Sequence, residues 1–512
     1  MGMRAKRLLV RKPLADIRSD VETHGLKRSL GPIQLVLLGI GCIVGAGIYV
    51  MTGSAAANYA GPAVILSFVI AGTACAFTGL CYAELASTLP VSGSSYTYTY
   101  AALGEVFAWS LGWLLMLEYG LAGSALAAGL SGYLSSLLGD FGVHIPEAVR
   151  TPFVQSVLTP QGVSFTTGGG INLIAAASLG LVAMVLVRGV SQSATVNAVM
   201  VTIKIAVLLI FVGVGVFHVD PANWTPFVPE NQGGFAYGMP GVLRAASVLF
   251  FAYLGFETVS TAALEARDPQ RDMPVGILGA LGVCTVLYIA VALVLTGLVP
   301  YRMLGVPDPI ALAVDRMGLP ALTLVIKLGA VLGLSSVLLV NTYGHSRICF
   351  AMSRDGLLPR FFSSVHTSWQ TPHHGTIFVA AVAAIAAALL PISILGDLVS
   401  LGTAFAFSIV AISVMWLRTA QPDLHRPFRV PLGGIRVRGV WIGVVPVLAL
   451  VLCLSMVGPV LADITLKAFA GDTIPATILG LYLLVGVILY RAYGWRNSRL
   501  GRALDGAPAA AA

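Results

Sequence analysis

Twelve long apolar runs, separated by short polar connectors rich in Gly, Pro and Arg, make up most of this 512-residue chain. Their limits read 32–57, 62–88, 101–136, 170–188, 196–217, 241–264, 275–299, 321–346, 374–391, 398–417, 440–461 and 475–493. Runs of roughly 20 apolar residues match the hydrocarbon thickness of a bilayer. Apolar positions follow one another continuously and do not alternate with polar ones, so each run predicts a helix rather than a barrel strand. The third run is longer than one crossing needs, which predicts a tilt or an extra surface turn. The pattern predicts an all-α membrane protein. Its sections are a basic segment 1–30, five spans over 31–217, five over 241–418, two over 440–493, and a tail 494–512 that is expected to be disordered, with no pattern in 501–512.

Composition supports this: 57% of residues are hydrophobic and 10% charged, against about a quarter charged in soluble proteins. The net charge of +8 carries no aromatic-basic module, which argues against nucleic acid as a partner. Its distribution is informative. With the N-terminus inside, 23 of the 30 basic residues fall in cytoplasmic segments, and the outer loops hold only Arg150, Arg302, Arg316 and Lys467. This places both termini in the cytoplasm of a multi-pass protein, with the plasma membrane as the expected location. Segment 137–169 is then the longest outer loop, and 218–240, rich in Pro, Gly and aromatics, either covers an outer vestibule or is an ordinary ordered loop. The six cysteines lie in or beside apolar runs without a C-x-x-C pair, so neither zinc nor a disulfide framework is expected. The first apolar run is too long for a cleaved signal peptide.

Two runs look broken. The first contains Gly39-Ile40-Gly41-Cys42-Ile43-Val44-Gly45-Ala46-Gly47, and the sixth Phe250-Phe251-Ala252-Tyr253-Leu254-Gly255-Phe256-Glu257. They are five spans apart, and five is odd, so a repeat of five spans must be inverted. Paired interrupted helices in two halves point to a transporter binding site. Unwinding at Gly45, Ala46 and Gly47 would free backbone N–H groups that attract a carboxylate, although Gly41 and Gly45 also fit a helix-packing spacing. Unwinding near Phe251-Ala252 would free carbonyls for an ammonium group, with Phe250, Tyr253 and Leu254 nearby, although aromatics in such helices also simply pack.

Ionisable residues inside the runs are functional candidates. Glu118 in the third run either attracts a cationic ligand or makes one structural hydrogen bond. Lys204 in the fifth either snorkels or acts as a desolvated amine that releases and regains a proton, with Ser335 and Ser336 as candidate partners. Lys327 lies nearer the outer end and reads as snorkelling, and Arg244 opens the sixth span toward the outer vestibule. Glu257 reads as a cap on the second half of the sixth helix. Asn341 in the eighth run needs a partner, either another helix or the distal part of a pocket. The chain has no Walker A loop, no H-E-x-x-H and no G-x-S-x-G, so no enzyme and no self-contained ATP-driven pump is expected.

The stretch GLKRSLGPIQLVLLGIGCIVGAGIYVMTG resembles the first helix of the cationic amino acid transporter family, within the amino acid–polyamine–organocation superfamily. YAELASTLPVSGSSYTYTYAALGE, GWLLMLEY, FFAYLGFETVSTAALEARDPQRDMP and SRICFAMSRDGLLP resemble further stretches of that family, in its order, across residues 25–360. The resemblance implies five plus five inverted helices with two more, alternating access and proton-driven uptake, with the proton as coupling ion and no cofactor or metal. It implies that Ile43, Ala46 and Gly47 hold the substrate carboxylate and that Phe250 and Tyr253 bound the amine site. It places Lys204 where sodium-coupled relatives hold an ion, Glu118 at the family's third-helix glutamate, and Asn341 where specificity is tuned. The expected function is a proton-coupled amino acid permease preferring arginine, lysine or ornithine. The rivals are a polyamine or other amine carrier of the same fold, an amino-acid-binding membrane receptor, and a membrane enzyme. Oligomeric state is not legible.

Overall fold

The computed structural model describes residues 10–12, 30–89, 94–159, 162–189 and 194–504. Most of the basic segment 1–30 and the end of the tail, 505–512, lie outside the described residues. The principal helices are α1 (Pro32–Ile43), α2 (Val64–Thr88), α3 (Glu105–Asp140), α4 (Leu173–Val187), α5 (Ala194–Gly215) and α6 (Gly238–Leu249). They continue as α7 (Pro269–Leu298), α8 (Pro320–Arg354), α9 (His373–Leu389), α10 (Ile392–Ala420), α11 (Val444–Phe469) and α12 (Ile474–Leu489). Among the described residues, nine helical stretches are long and apolar enough to cross a membrane, and α1, α4 and α9 are shorter apolar helices.

Packing divides the helices into two sets. α7 packs on α1 and α2, and α6 on α2, whereas α8 packs on α3, α9 on both α3 and α4, and α4 on α3. α5 lies against α1, α7 and α8, and α10 spans between α3, α6 and α11. α12 leaves one broad face uncovered, with Leu481, Leu484, Val487 and Ile488 exposed, while Tyr482 and Gly486 pack on Trp113. An apolar helix exposed in this way requires a lipid surround.

Some expectations change. The third run is essentially one helix, the 36-residue α3, and a separate short helix, Ser94–Ala102, precedes it and ends before Gly104 (φ 101°). Segment 137–169, read as a loop, contains an antiparallel hairpin, β1 (Val154–Thr159) with β2 (Gly162–Thr167). Asp472 accepts the Phe165 amide at 2.8 Å and so pins the hairpin beside the start of α12. Residues 440–443 belong to a second hairpin, β3 (Gly434–Val437) with β4 (Val440–Gly443), so α11 starts at Val444 rather than 440. The start of the tail is ordered: Trp495–Asn497 and Arg499–Leu504 are helical, and Ser498 donates to the buried Glu105 carboxylate. Segment 218–240 is ordered, with Asn223 donating to the Gly297 carbonyl at 2.7 Å and Tyr237 to that of Ala57 at 2.6 Å. The two ends of the bundle are therefore distinct, a hairpin face carrying β1–β2 and 218–237, and an arginine-rich face.

Candidate functional site: two broken helices

The first run does break. α1 ends at Ile43, Val44 turns extended (ψ 92°), and a wide π turn, Gly47–Met51, restarts the helix. The Val44 amide takes the Ile40 carbonyl at 2.9 Å as the last bond of α1. A helix ending there leaves its last carbonyls without intrahelical donors, and the helix that restarts leaves its first amides, those of Gly45, Ala46 and Gly47, without intrahelical acceptors. Those amides are the anion-attracting end of a half-helix.

The sixth run breaks as well, but not where the sequence suggested. Phe250–Tyr253 form a 3-10 turn instead of unwinding, and the chain leaves helical geometry at Leu254 (ψ 136°) and Gly255 (φ 116°). Only glycine takes that φ without strain, and a Cβ at Gly255 would lie within 2.7–2.9 Å of Cys42. Glu257 caps the second half: its Oε2 accepts the Gly255 amide at 2.8 Å, and Tyr119 donates to Oε1 at 3.2 Å. The carboxylate therefore has the helix-capping role expected of it.

The two breaks touch. A Cβ at Gly47 would lie 2.3 Å from the Ala252 Cα, so the half-helices meet backbone to backbone. The orphaned carbonyls of α1 find side-chain donors. Lys204, 2% exposed, donates to the Gly41 carbonyl at 3.1 Å. Tyr288 of α7, fully buried, places its hydroxyl 2.8 Å from the Ile43 carbonyl and 3.1 Å from that of Ala252. Its single proton serves one carbonyl at a time, and each carbonyl keeps a lone pair for a second donor. Tyr133 donates to the Tyr49 carbonyl at 2.7 Å beyond the break. Ser335 and Ser336 are not partners of Lys204; their hydroxyls bond the Val331 and Gly333 carbonyls of their own helix. Snorkelling does not describe Lys204, whose stem lies against Gly333 and whose amine points into the break.

Ile43, Gly45, Ala46, Gly47, Phe250, Ala252 and Lys204 thus gather around one point, and all are buried. The wall facing Gly45 is apolar, with Val337 of α8 and Leu126 of α3 within 3.2–3.3 Å of its Cβ position. Phe250 stacks edge-on against Phe407. Tyr253 directs its hydroxyl away, to the Phe68 carbonyl of α2 at 3.0 Å, and Leu254 is half-buried. Two further expected residues lie on α3 and α8. Glu118 lies beside Gly402 of α10, and neither of its oxygens has a hydrogen-bond partner among the described residues. Asn341 donates its amide to the Tyr119 carbonyl at 2.7 Å and ties α8 to α3. Glu118 and Tyr119 leave α3 about 100° apart, and it is Tyr119 that bonds the Glu257 carboxylate.

Sequence reasoning missed Tyr288, Tyr133 and Tyr119, because a hydroxyl in an apolar run reads the same whether it faces lipid or a broken helix. It also placed Lys327 as snorkelling. Lys327 is 1% exposed and bonds Asp140 at 2.8 Å and Asp315 at 2.9 Å.

Residues 30–490 match the amino acid permease family. The chain is 42% identical over 496 residues to the methylthioribose transporter of Bacillus subtilis, covering 97% of this chain and 99% of that one. It is 41% identical over 480 residues to the branched-chain amino acid permease BcaP of the same organism, covering 93% and 95%. It is 37% identical over 419 residues to the vacuolar cationic amino acid transporter 4 of Arabidopsis thaliana, covering 81% and 68%. Two broken apolar helices with their backbones in contact, and a match that runs almost end to end, lead to one conclusion: the chain belongs to the amino acid permease family, within the amino acid–polyamine–organocation superfamily.

Proposed function

We propose that the protein is a proton-coupled amino acid permease of the plasma membrane that works by alternating access, with twelve spans arranged as two inverted five-helix repeats and two further helices, α11 and α12. The observation that carries this reading is the meeting of two interrupted helices at Gly47 and Ala252, with Lys204 and Tyr288 bonded to the carbonyls the breaks expose. The division of the helices supports the repeat: α1, α2, α6 and α7 form one set and α3, α4, α8 and α9 the other, each holding equivalent members of both halves. The charge distribution supports cytoplasmic termini, which makes the hairpin face the outer one.

The amino acid carboxylate meets the amides of Gly45, Ala46 and Gly47, and its ammonium group meets the carbonyls of the sixth-helix turn. Both fit the electrostatics of half-helix ends. Lys204, charged, holds the Gly41 carbonyl; losing its proton removes a charge-assisted bond and frees α1 to move. Rocking of the first and sixth helices then opens the other face.

The cargo has two readings. A cationic side chain is what the transporters from Arabidopsis suggest by name. A neutral, branched side chain is favoured by the lining itself, since Val337 and Leu126 face Gly45 and the Asn341 amide is already engaged. Uptake into proteoliposomes, with and without an inward proton gradient, tests the function. Radiolabelled isoleucine, arginine, putrescine and methylthioribose serve as separate cargoes. Gradient-stimulated accumulation of an amino acid is expected. Accumulation indifferent to the gradient refutes proton coupling, and transport of putrescine or methylthioribose alone refutes the amino acid reading.

A further inference from the structure

Arg244 of α6 is fully buried, and none of the contacts at the helix breaks uses it. Its Nη2 donates to Asp397 of α10 at 2.7 Å and to Asp463 of α11 at 2.9 Å, and its Nε reaches Asp463 at 3.1 Å. Lys467 bonds the same Asp463 oxygen at 2.9 Å, and the Tyr59 ring, beyond the first-helix break, lies 4.7 Å from the guanidinium carbon. The four charges sum to zero, so the cluster can exist in a low-dielectric setting. It is not optimised for stability: Arg244 Nη1 and Asp397 Oδ1 have no hydrogen-bond partner among the described residues. A buried ion cluster left partly unsatisfied is weak evidence for a purely bracing role.

Position points to another role. Arg244 precedes Phe250 by six residues, about 9 Å along the helix, on the side of the break nearer the hairpin face. The cluster fastens both broken helices to α10 and α11. Along α6 the cluster lies between the 218–237 end of the helix and the meeting point of Gly47 and Ala252.

We propose that Arg244 is a positioning residue that latches the outer access path shut, holding Asp397 and Asp463 while the path is closed and releasing at least Asp397 when it opens. The latch rests on the transport reading above, and its test separates the two. A reporter cysteine replaces Val248, which is buried one turn below Arg244 and faces α10 near Gly396. Its labelling by a membrane-impermeant maleimide is followed from the hairpin face, with the rate of the parent protein subtracted. The Arg244→Gln/Asp397→Asn double variant removes one charge of each sign and leaves Asp463 with Lys467, so no isolated charge is created. Arg244→Lys keeps the charge but loses the fork. We expect the double variant to label about ten-fold faster, a shift of one decade in the open population, with Arg244→Lys in between. Labelling of the folded double variant within two-fold of the reporter protein overturns the latch. Should the double variant not fold, an unchanged rate for Arg244→Lys overturns it equally. Failure of the parent to move any amino acid refutes the transport reading instead, and the labelling comparison still decides the latch.

Discussion

A single methyl group added at Gly47 would drive one half-helix into the other. An alanine Cβ there would lie 2.3 Å from the Ala252 Cα and 2.5 Å from its Cβ. Ordinary carbon contacts are about 3.5–4.0 Å, so the half-helices must separate by roughly 1.5 Å. Ala252 cannot rotate out of the way, since the clash is with backbone. Overpacking of this kind costs about 1–3 kcal/mol, and that cost falls only on the state in which the breaks touch. At about 1.4 kcal/mol per decade, the closed arrangement loses roughly 5- to 150-fold in population. Tyr288 would also be forced to choose, because its hydroxyl spans Ile43 and Ala252 only while they are adjacent. The assay is initial-rate uptake into proteoliposomes, paired with thermal unfolding in detergent. Gly213→Ala is the control: no atom lies within 4 Å of that Cβ position, on the lipid side of α5. Gly47→Ala should lose at least four-fifths of uptake while Gly213→Ala transports normally. Uptake by Gly47→Ala equal to the parent would refute the claim that the two breaks must close on each other.

Further outcomes follow from the same contacts. Tyr288→Phe leaves two buried carbonyls short of a donor, at about 1–3 kcal/mol; uptake should fall at least several-fold, and an unchanged rate would remove this tyrosine from the cycle. Lys204→Ala should abolish gradient-driven accumulation while sparing exchange of internal for external substrate, and accumulation at the parent level argues against its coupling role. Burial raises the proton affinity of Asp308, in the connector between α7 and α8, against the lowering effects of Ser136 and Lys327. A carboxyl raised on folding contributes stability at low pH that is lost as pH rises through its folded value. Asp308→Asn should therefore raise the melting temperature at pH 8 and have less effect at pH 4; a lower melting temperature at pH 8 would contradict this.

Much of the fold was legible because the bilayer imposes a length and the charges mark the ends. The glycine cluster at 45–47 pointed to the first break, since glycines so placed serve either packing or unwinding, and here they serve both. The sixth break was misplaced by about two residues, because Ala252 looked like the weak point while Gly255 alone can take a positive φ against Cys42. Lys204 was recognisable by its depth, yet its partner was not: a free Gly41 carbonyl exists only because α1 stops at Ile43. Asn341 was recognisable as a polar side chain in need of a partner, but sequence cannot say that the partner is the Tyr119 carbonyl of α3. The hairpin at 154–167 was hidden in a loop whose alternation is too short to stand out.

The central claim is that amides and carbonyls exposed at two breaks recognise the two charged ends of a free amino acid. Competition tests it most directly. Uptake of the best radiolabelled amino acid is measured against the unlabelled compound, its decarboxylated amine and its N-acetyl derivative. Only the compound bearing both charges should compete. Equal competition by the decarboxylated amine would contradict it, because nothing would then need the amides of Gly45, Ala46 and Gly47.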